Sequence, residues 1–334
     1  LARYLVTGGA GYVGSHVVLA LLDRGDEVVV LDNFSTGHRG AVPPAAGLAE
    51  VDLGRASEVA EVFAAWKFDA VFHMAALSLV GDSMKRPLHY IRTNVNNSVA
   101  LAEAAVAAGV KRFVFSSTAA LFGVPRVTPI DEAVAREPVN PYGESKLMVE
   151  QALAWADSAH GLRSACLRYF NAAGADPGGR AGEDHTPESH LIPRTILATL
   201  GREEPVTIFG TDYDTPDGTA MRDYVHVADL AAAHLAVLPR LEEGSVAYNL
   251  GNGAGYSVRE VIASIERVSG RAVPHVVGPR REGDPPSLVA SSARIRAETG
   301  WRPRHDSLDE IIRTAWAWHS ANPNGYAGRV RQAA

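Results

Sequence analysis

Thr7-Gly8-Gly9-Ala10-Gly11-Tyr12-Val13-Gly14 is a glycine-rich run near the start of the chain. It follows a short β-branched run, Tyr4 to Val6, and opens a periodic apolar stretch, Tyr12 to Arg24, so it lies on a strand-to-helix turn. In that setting Gly8 permits the tight turn, Gly11 lets a pyrophosphate approach the backbone and Gly14 allows close helix packing, with the helix N-terminus facing the anion. Glycines alone are weak evidence of a dinucleotide site. The second β-branched run, Val28 to Leu31, ends at Asp32, however, about 20 residues on, where a carboxylate grips the adenosine ribose hydroxyls. Its charge repels a 2′-phosphate, so NAD is expected rather than NADP.

Further strands are expected at Ala49 to Val51, Ala70 to His73, Phe113 to Ser116 and Ala165 to Tyr169. Crossover helices are expected at Ala56 to Trp66, Asn94 to Ala108 and Tyr142 to Ala159. Alternation of this kind predicts an α/β fold, a Rossmann-type doubly wound parallel sheet. After Asn171 the chain turns rich in Gly, Pro and Asp. There we expect a helix from about His190, a strand Val206 to Phe209, a helix Ala228 to Leu238 and a strand Ala247 to Leu250. Capping boxes at Ser257/Glu260 and Ser307/Glu310 announce two more helices. The expected division is an NAD-binding domain over 1–171 and, over 172–334, a smaller loop-rich C-terminal lobe that binds substrate and returns some elements to the sheet.

The chain has 334 residues, 46% hydrophobic and 21% charged, which argues against disorder and allows a sizeable core. Its net charge of -6 and lack of a basic cluster argue against nucleic acid as a partner. The single Cys166 supplies neither a disulfide framework nor a cysteine-rich metal site, and no metal ligands are assigned. No leader pattern or membrane-length apolar run is evident, so the expected location is cytoplasmic, away from membranes.

Tyr142-Gly143-Glu144-Ser145-Lys146 sets a phenol and an ammonium one helical turn apart on the same face. A neighbouring cation and the positive nicotinamide ring would pull the phenol down from about 10 toward neutrality, where it can serve as general base. Such pairs are common on ordinary helix surfaces. Here Phe115-Ser116-Ser117-Thr118 also ends a strand at the edge where these sheets bind ligands, and supplies a hydroxyl beside the phenol.

Taken with Leu31-Asp32-Asn33, Asn140-Pro141-Tyr142, Leu167 to Asn171, Gly218 to Val227 and Arg281-Glu282-Gly283-Asp284, these stretches make the whole chain resemble the extended short-chain dehydrogenase/reductases and, within them, the UDP-glucose 4-epimerase family. The resemblance implies an NAD-dependent isomerase acting on a UDP-sugar through a 4-keto intermediate. It implies Tyr142 as base, Lys146 as its partner and ribose anchor, and Thr118 where many members carry serine. Around the cofactor it implies Tyr12, Val13, Asn33, Asp52, Leu53, Ala75, Asn94, Ser116 and Tyr169. Around the substrate it implies Asn171, His190, Leu191, Arg194, Thr207, Phe209, Arg222, Arg281 and Asp284. A homodimer paired through Asn94–Ala108 and Tyr142–Ala159 is also implied.

Dehydratases and decarboxylases of the same superfamily carry a glutamate just after the strand-end hydroxyl. Here Ala119 and Ala120 stand there, which favours epimerisation without elimination. A non-catalytic NAD-sensing module is the reading from another class, opposed by the presence of Thr118, Tyr142 and Lys146 together. Departures from the commonest epimerase pattern are Ser78, Arg92, His190 and Arg194. A cation at Arg194, in the first turn of a helix, opposes the dipole unless an anion compensates. The C6 carboxylate of a uronic acid is one such anion, so UDP-glucose/UDP-galactose is the pair expected from the resemblance and UDP-glucuronate/UDP-galacturonate, with Arg194 binding the carboxylate, is the alternative. Leu288 decides nothing about an N-acetyl group.

Overall fold

A computed structural model describes residues 1–281 and 283–327. Glu282, within one of the quoted motifs, lies outside them. The first half runs β1 Arg3–Thr7, α1 Tyr12–Asp23, β2 Glu27–Asp32, β3 Gly47–Glu50, α2 Ala56–Ala65, β4 Ala70–His73, α3 Val80–Lys85, α4 Pro87–Ile91, α5 Asn97–Ala107, β5 Arg112–Thr118, α6 Pro141–His160 and β6 Arg163–Tyr169. The second half runs β7 Asn171–Ala173, α7 Leu191–Thr199, β8 Val206–Phe209, β9 Met221–His226, α8 Val227–Ala236, β10 Val246–Leu250, β11 Gly255–Ser257, α9 Val258–Ser269, β12 His275–Gly278, β13 Ser287–Leu288, α10 Ala293–Thr299 and α11 Leu308–Ala321.

The main sheet is seven-stranded in the order β10-β6-β5-β4-β1-β2-β3, and every pairing is parallel. Parallel strands buried on both faces need near-continuous apolar sequence, which Leu5, Val6, Val29, Val30, Val71 and Phe72 supply. One face packs on α1 and α8 through Val17, Val18, Leu21 and Leu230. The other packs on α2, α5 and α6 through Val59, Val62, Leu101, Val149 and Leu153. Strand order reverses between β1 and β4, and that crevice is where such sheets bind ligands.

The C-terminal half builds a small sheet around β9, which pairs with β7, β11 and β13, and a separate β8–β12 pair. Its own apolar cluster joins Ile192, Ile196, Ile208, Val261, Ile265 and Ile311. Two expectations change in detail. The helix placed at Asn94 to Ala108 begins upstream at Pro87 and passes through a π-turn, Arg92–Asn96, before α5. The Ser257/Glu260 capping box forms in full, whereas Glu310, the partner of Ser307, turns to His305 Nδ1 at 2.7 Å.

Candidate functional site

Gly8 follows β1 with φ +68°, and a Cβ there would stand 2.6 Å from Ala75 N, just past β4. The turn therefore sits at the strand-order reversal, and only glycine fits it. A Cβ on Gly14 would come within 2.0 Å of Gly8 O, so α1 starts against the turn itself. Asp32 Oδ2 accepts from Ala10 N at 3.0 Å and Oδ1 from Phe34 N at 2.8 Å. Burial pushes this carboxyl up, and the backbone N–H groups of Phe34, Ala10 and Asn33 pull it back. Asn33 Nδ2 donates to Asp52 Oδ2 at 2.7 Å, beside Leu53, so the second and third strand ends form one polar lip.

The opposite wall is the N-terminus of α6. Pro141 occupies the first turn and the Asn140 side chain caps it, accepting from Gly143 N at 2.8 Å. A Cβ on Gly143 would stand 2.6 Å from Ala120 O, so the helix lies directly against the turn after β5. This close approach brings the Thr118 hydroxyl to the Tyr142 phenol. Lys146, buried one turn on, donates to Ser116 O at 2.8 Å and sits 4.7 Å over the Phe115 ring. Burial lowers its pKa to about 7, partly offset by the Glu150 carboxylate. Burial also pushes Tyr142 well above its ordinary value, with nearby Tyr169 adding to the rise and Thr118 opposing it.

The walls enclose one cavity of about 2000 Å³, whereas a single drug-sized ligand needs about 300–1,000 Å³. The space suits a dinucleotide and a second nucleotide together. Gly8, Gly11, Tyr12, Val13, Gly14, Asp32, Asn33, Asp52, Leu53, Ala75, Asn94, Ser116, Thr118, Tyr142, Lys146 and Tyr169 all line it, as do Asn171, His190, Arg194, Arg222, Arg281 and Asp284. Leu191, Thr207 and Phe209 do not. Leu191 packs on the C-terminal apolar cluster, Thr207 pairs with Val276 in the β8–β12 ladder, and the Arg281 guanidinium covers the Phe209 ring at 3.9 Å.

Several lining residues already have partners within the chain. Asn94 bridges Leu77 N at 2.8 Å and Ser145 Oγ at 3.0 Å, Asn171 Nδ2 donates to Asp223 O at 2.9 Å, and Arg222 pairs with Asp284. Arg194 lies in the first turn of α7 with Glu203 Oε2 3.4 Å from its Nε, so a compensating anion comes from the loop beyond that helix. Sequence reasoning missed Glu183, His185 and Glu188, which line the same cavity with His190. The H-x-x-E-x-H spacing over 185–190 was their available signal. Burial acts to lower both imidazoles, but the two carboxylates outweigh it and raise His185 to about 9 and His190 to about 10.

Comparison with known proteins agrees with this architecture. A UDP-glucose 4-epimerase of Azospirillum brasilense is 52% identical over 318 residues, 95% of this chain and 91% of the relative. The crystal structure of UDP-glucose 4-epimerase from Brucella ovis in complex with NAD superposes with a TM-score of 0.92 at 44% identity, covering 95% of this chain and 98% of that one. The Bifidobacterium longum enzyme in complex with NAD+ and UDP superposes with a TM-score of 0.91 at 35% identity, covering 97% and 99%. The sequence model of the NAD dependent epimerase/dehydratase family matches residues 4–251, and the chain belongs to that family.

Proposed function

We propose that the protein is an NAD-dependent UDP-sugar 4-epimerase that interconverts UDP-glucose and UDP-galactose. The observation that carries this reading is the meeting of Tyr142, Thr118 and Lys146 at the strand-end wall of a cavity with room for both nucleotides. Near full-length likeness to UDP-glucose 4-epimerases supports the choice of sugar. Gly8, Gly11 and Gly14 cradle the pyrophosphate and Asp32 holds the ribose. NAD held there would supply a hydride acceptor, and then donor, for sugar C4. Tyr142 removes the proton from the 4-hydroxyl and gives it back, with the Thr118 hydroxyl favouring the ionised phenol. Lys146, fixed by Ser116 O, anchors the nicotinamide ribose. Arg222 and Arg281 offer guanidinium forks to the diphosphate, which must hold while the keto sugar turns over. Ala119 and Ala120 place no acid or base beside that intermediate.

Arg194 already faces Glu203, which favours a neutral C6 over a carboxylate. Purified protein given UDP-glucose, UDP-glucuronate and UDP-N-acetylglucosamine separately should turn over the first at least about 10-fold faster than the second. Preference for UDP-glucuronate would overturn the sugar assignment, and turnover of none would leave an NAD-sensing module.

The same reading includes a homodimer paired through α5 and α6. Trp155 on α6 and Leu88 on α4 are each 76% exposed, apolar side chains that a partner subunit would cover. Dimeric mass by light scattering at micromolar concentration is expected, and a monomer counts against it. Cytoplasmic residence fits the single buried thiol.

A further inference from the structure

Glu183, His185, Glu188 and His190 converge from the loop before α7, with their ligating atoms all within 4.8 Å of one another. His190 Nδ1 lies 2.9 Å from Glu183 Oε1 and 2.9 Å from Glu188 Oε1. His185 Nδ1 lies 3.2 Å from Glu183 Oε1 and 3.5 Å from Glu188 Oε2. A tetrahedral centre with bonds of about 2.0–2.1 Å has ligand-to-ligand edges of about 3.3–3.4 Å; the two imidazoles lie 2.9 and 3.2 Å from one oxygen of Glu183, and Glu188 turns Oε1 to His190 and Oε2 to His185 at 2.9 and 3.5 Å, so that either oxygen is in reach of one centre.

Two observations set the quartet apart from a solvated ion cluster. The Glu183 and Glu188 side chains are only 5% and 4% exposed, so two carboxylates are held out of water at one point. His185 Nδ1 is itself buried and makes no hydrogen bond, although two carboxylate oxygens stand within ion-pair range. Glu188 Oε1 is further oriented by Ser189 N at 2.7 Å and His190 N at 2.8 Å, and the His185 ring meets Tyr12 edge-on at 6.1 Å. Support of this kind around the ligands is what a metal site needs.

We propose that Nδ1 of His185 and of His190, with one oxygen each from Glu183 and Glu188, bind one divalent transition-metal ion of the zinc or cobalt type. Two imidazoles with two carboxylates favour such ions over magnesium or calcium. Four protein ligands make a closed site, structural in character. The ion clamps the loop that walls the cavity next to Arg194, with each imidazole neutral and its proton on Nε2. It takes no part in hydride transfer, so this inference does not depend on the proposed activity.

The test uses the full chain with its NAD, stripped by a chelator and then given Co2+. One equivalent should bind with the intense visible d–d bands of a tetrahedral centre, Zn2+ should displace it one for one, and Mg2+ should not. His185→Gln should weaken binding by at least about 10- to 100-fold while far-ultraviolet circular dichroism and NAD content stay those of the parent. His185→Cys should restore binding and add a thiolate-to-cobalt charge-transfer band, which shows the position to be a ligand even if the glutamine variant folds poorly. Absence of a tetrahedral spectrum in the parent protein at one equivalent would overturn the site. Equal binding by parent and His185→Gln would do the same.

Discussion

Gly14 has room for a hydrogen and nothing larger, because a methyl group would meet Gly8 O at 2.0 Å. Gly14→Ala should therefore push α1 off the turn, costing about 1–3 kcal/mol in urea denaturation and stripping NAD from the purified protein. Unchanged stability and cofactor content would mean that the helix start is not pinned as described. Tyr142→Phe should lose about 100- to 10,000-fold in turnover while keeping its NAD, and Thr118→Ala should lose less. Near-normal turnover in Tyr142→Phe would require another base. These residues could be read from the sequence because spacing alone sets their geometry: a glycine turn between strand and helix, a carboxylate one βα unit on, a Tyr and Lys one helical turn apart. Leu191, Thr207 and Phe209 could not be placed this way, since their orientation depends on the C-terminal apolar cluster, the β8–β12 pairing and Arg281, all long-range contacts. The partners of Asn171, Arg222 and Arg194 were hidden for the same reason.

At the scale of the element, α6 is held by a pair the sequence did not reveal. Arg168 on β6 meets Glu150 on α6 through Nε at 2.9 Å and Nη2 at 2.6 Å, and Glu150 also accepts from Ser117 Oγ at 2.6 Å. Glu150 lies one turn beyond Lys146, so this contact ties the helix bearing the phenol and ammonium to both strands beneath it. Arg168→Met should cost about 3–5 kcal/mol, because beside the neutral Ser117 hydroxyl it leaves the buried carboxylate no cation nearer than the more exposed Arg136, 3.7 Å away. A loss below about 1 kcal/mol in urea denaturation would show that the pair does not hold the helix. Most elements of the main sheet were legible within a residue or two, their apolar runs being long and their connections regular. Less regular were α3 and α4, whose short stretch 80–91 carries no sustained period and exposes Val80, Met84 and Leu88. The short strands β7, β9, β11 and β13 were missed too, because each is defined by its neighbour in the small sheet more than by its own sequence.

Across the whole molecule, burial holds His16, His73, His226, His234 and His319 toward the neutral form. Burial lowers His16 and His234 to about 4, and His73 and His226 to about 3. The unfolded chain binds more protons than the folded one between these values and the ordinary 6.5, so their contribution to stability is full above about pH 6.5 and is lost as pH falls toward 4. The melting temperature should thus decline from pH 7 to pH 5, and His234→Leu should flatten the decline. A slope unchanged by that variant would remove His234 from the account. In the proposed reaction both halves of the fold act together: the sheet would hold the dinucleotide, the second lobe the nucleotide sugar, and one hydride would leave C4 and return to it without meeting solvent. UDP-glucose deuterated at C4, incubated with the purified protein and no added NAD, tests this most directly. The UDP-galactose formed should keep the deuterium at C4, whereas its loss to water, or the absence of inversion, would contradict the account.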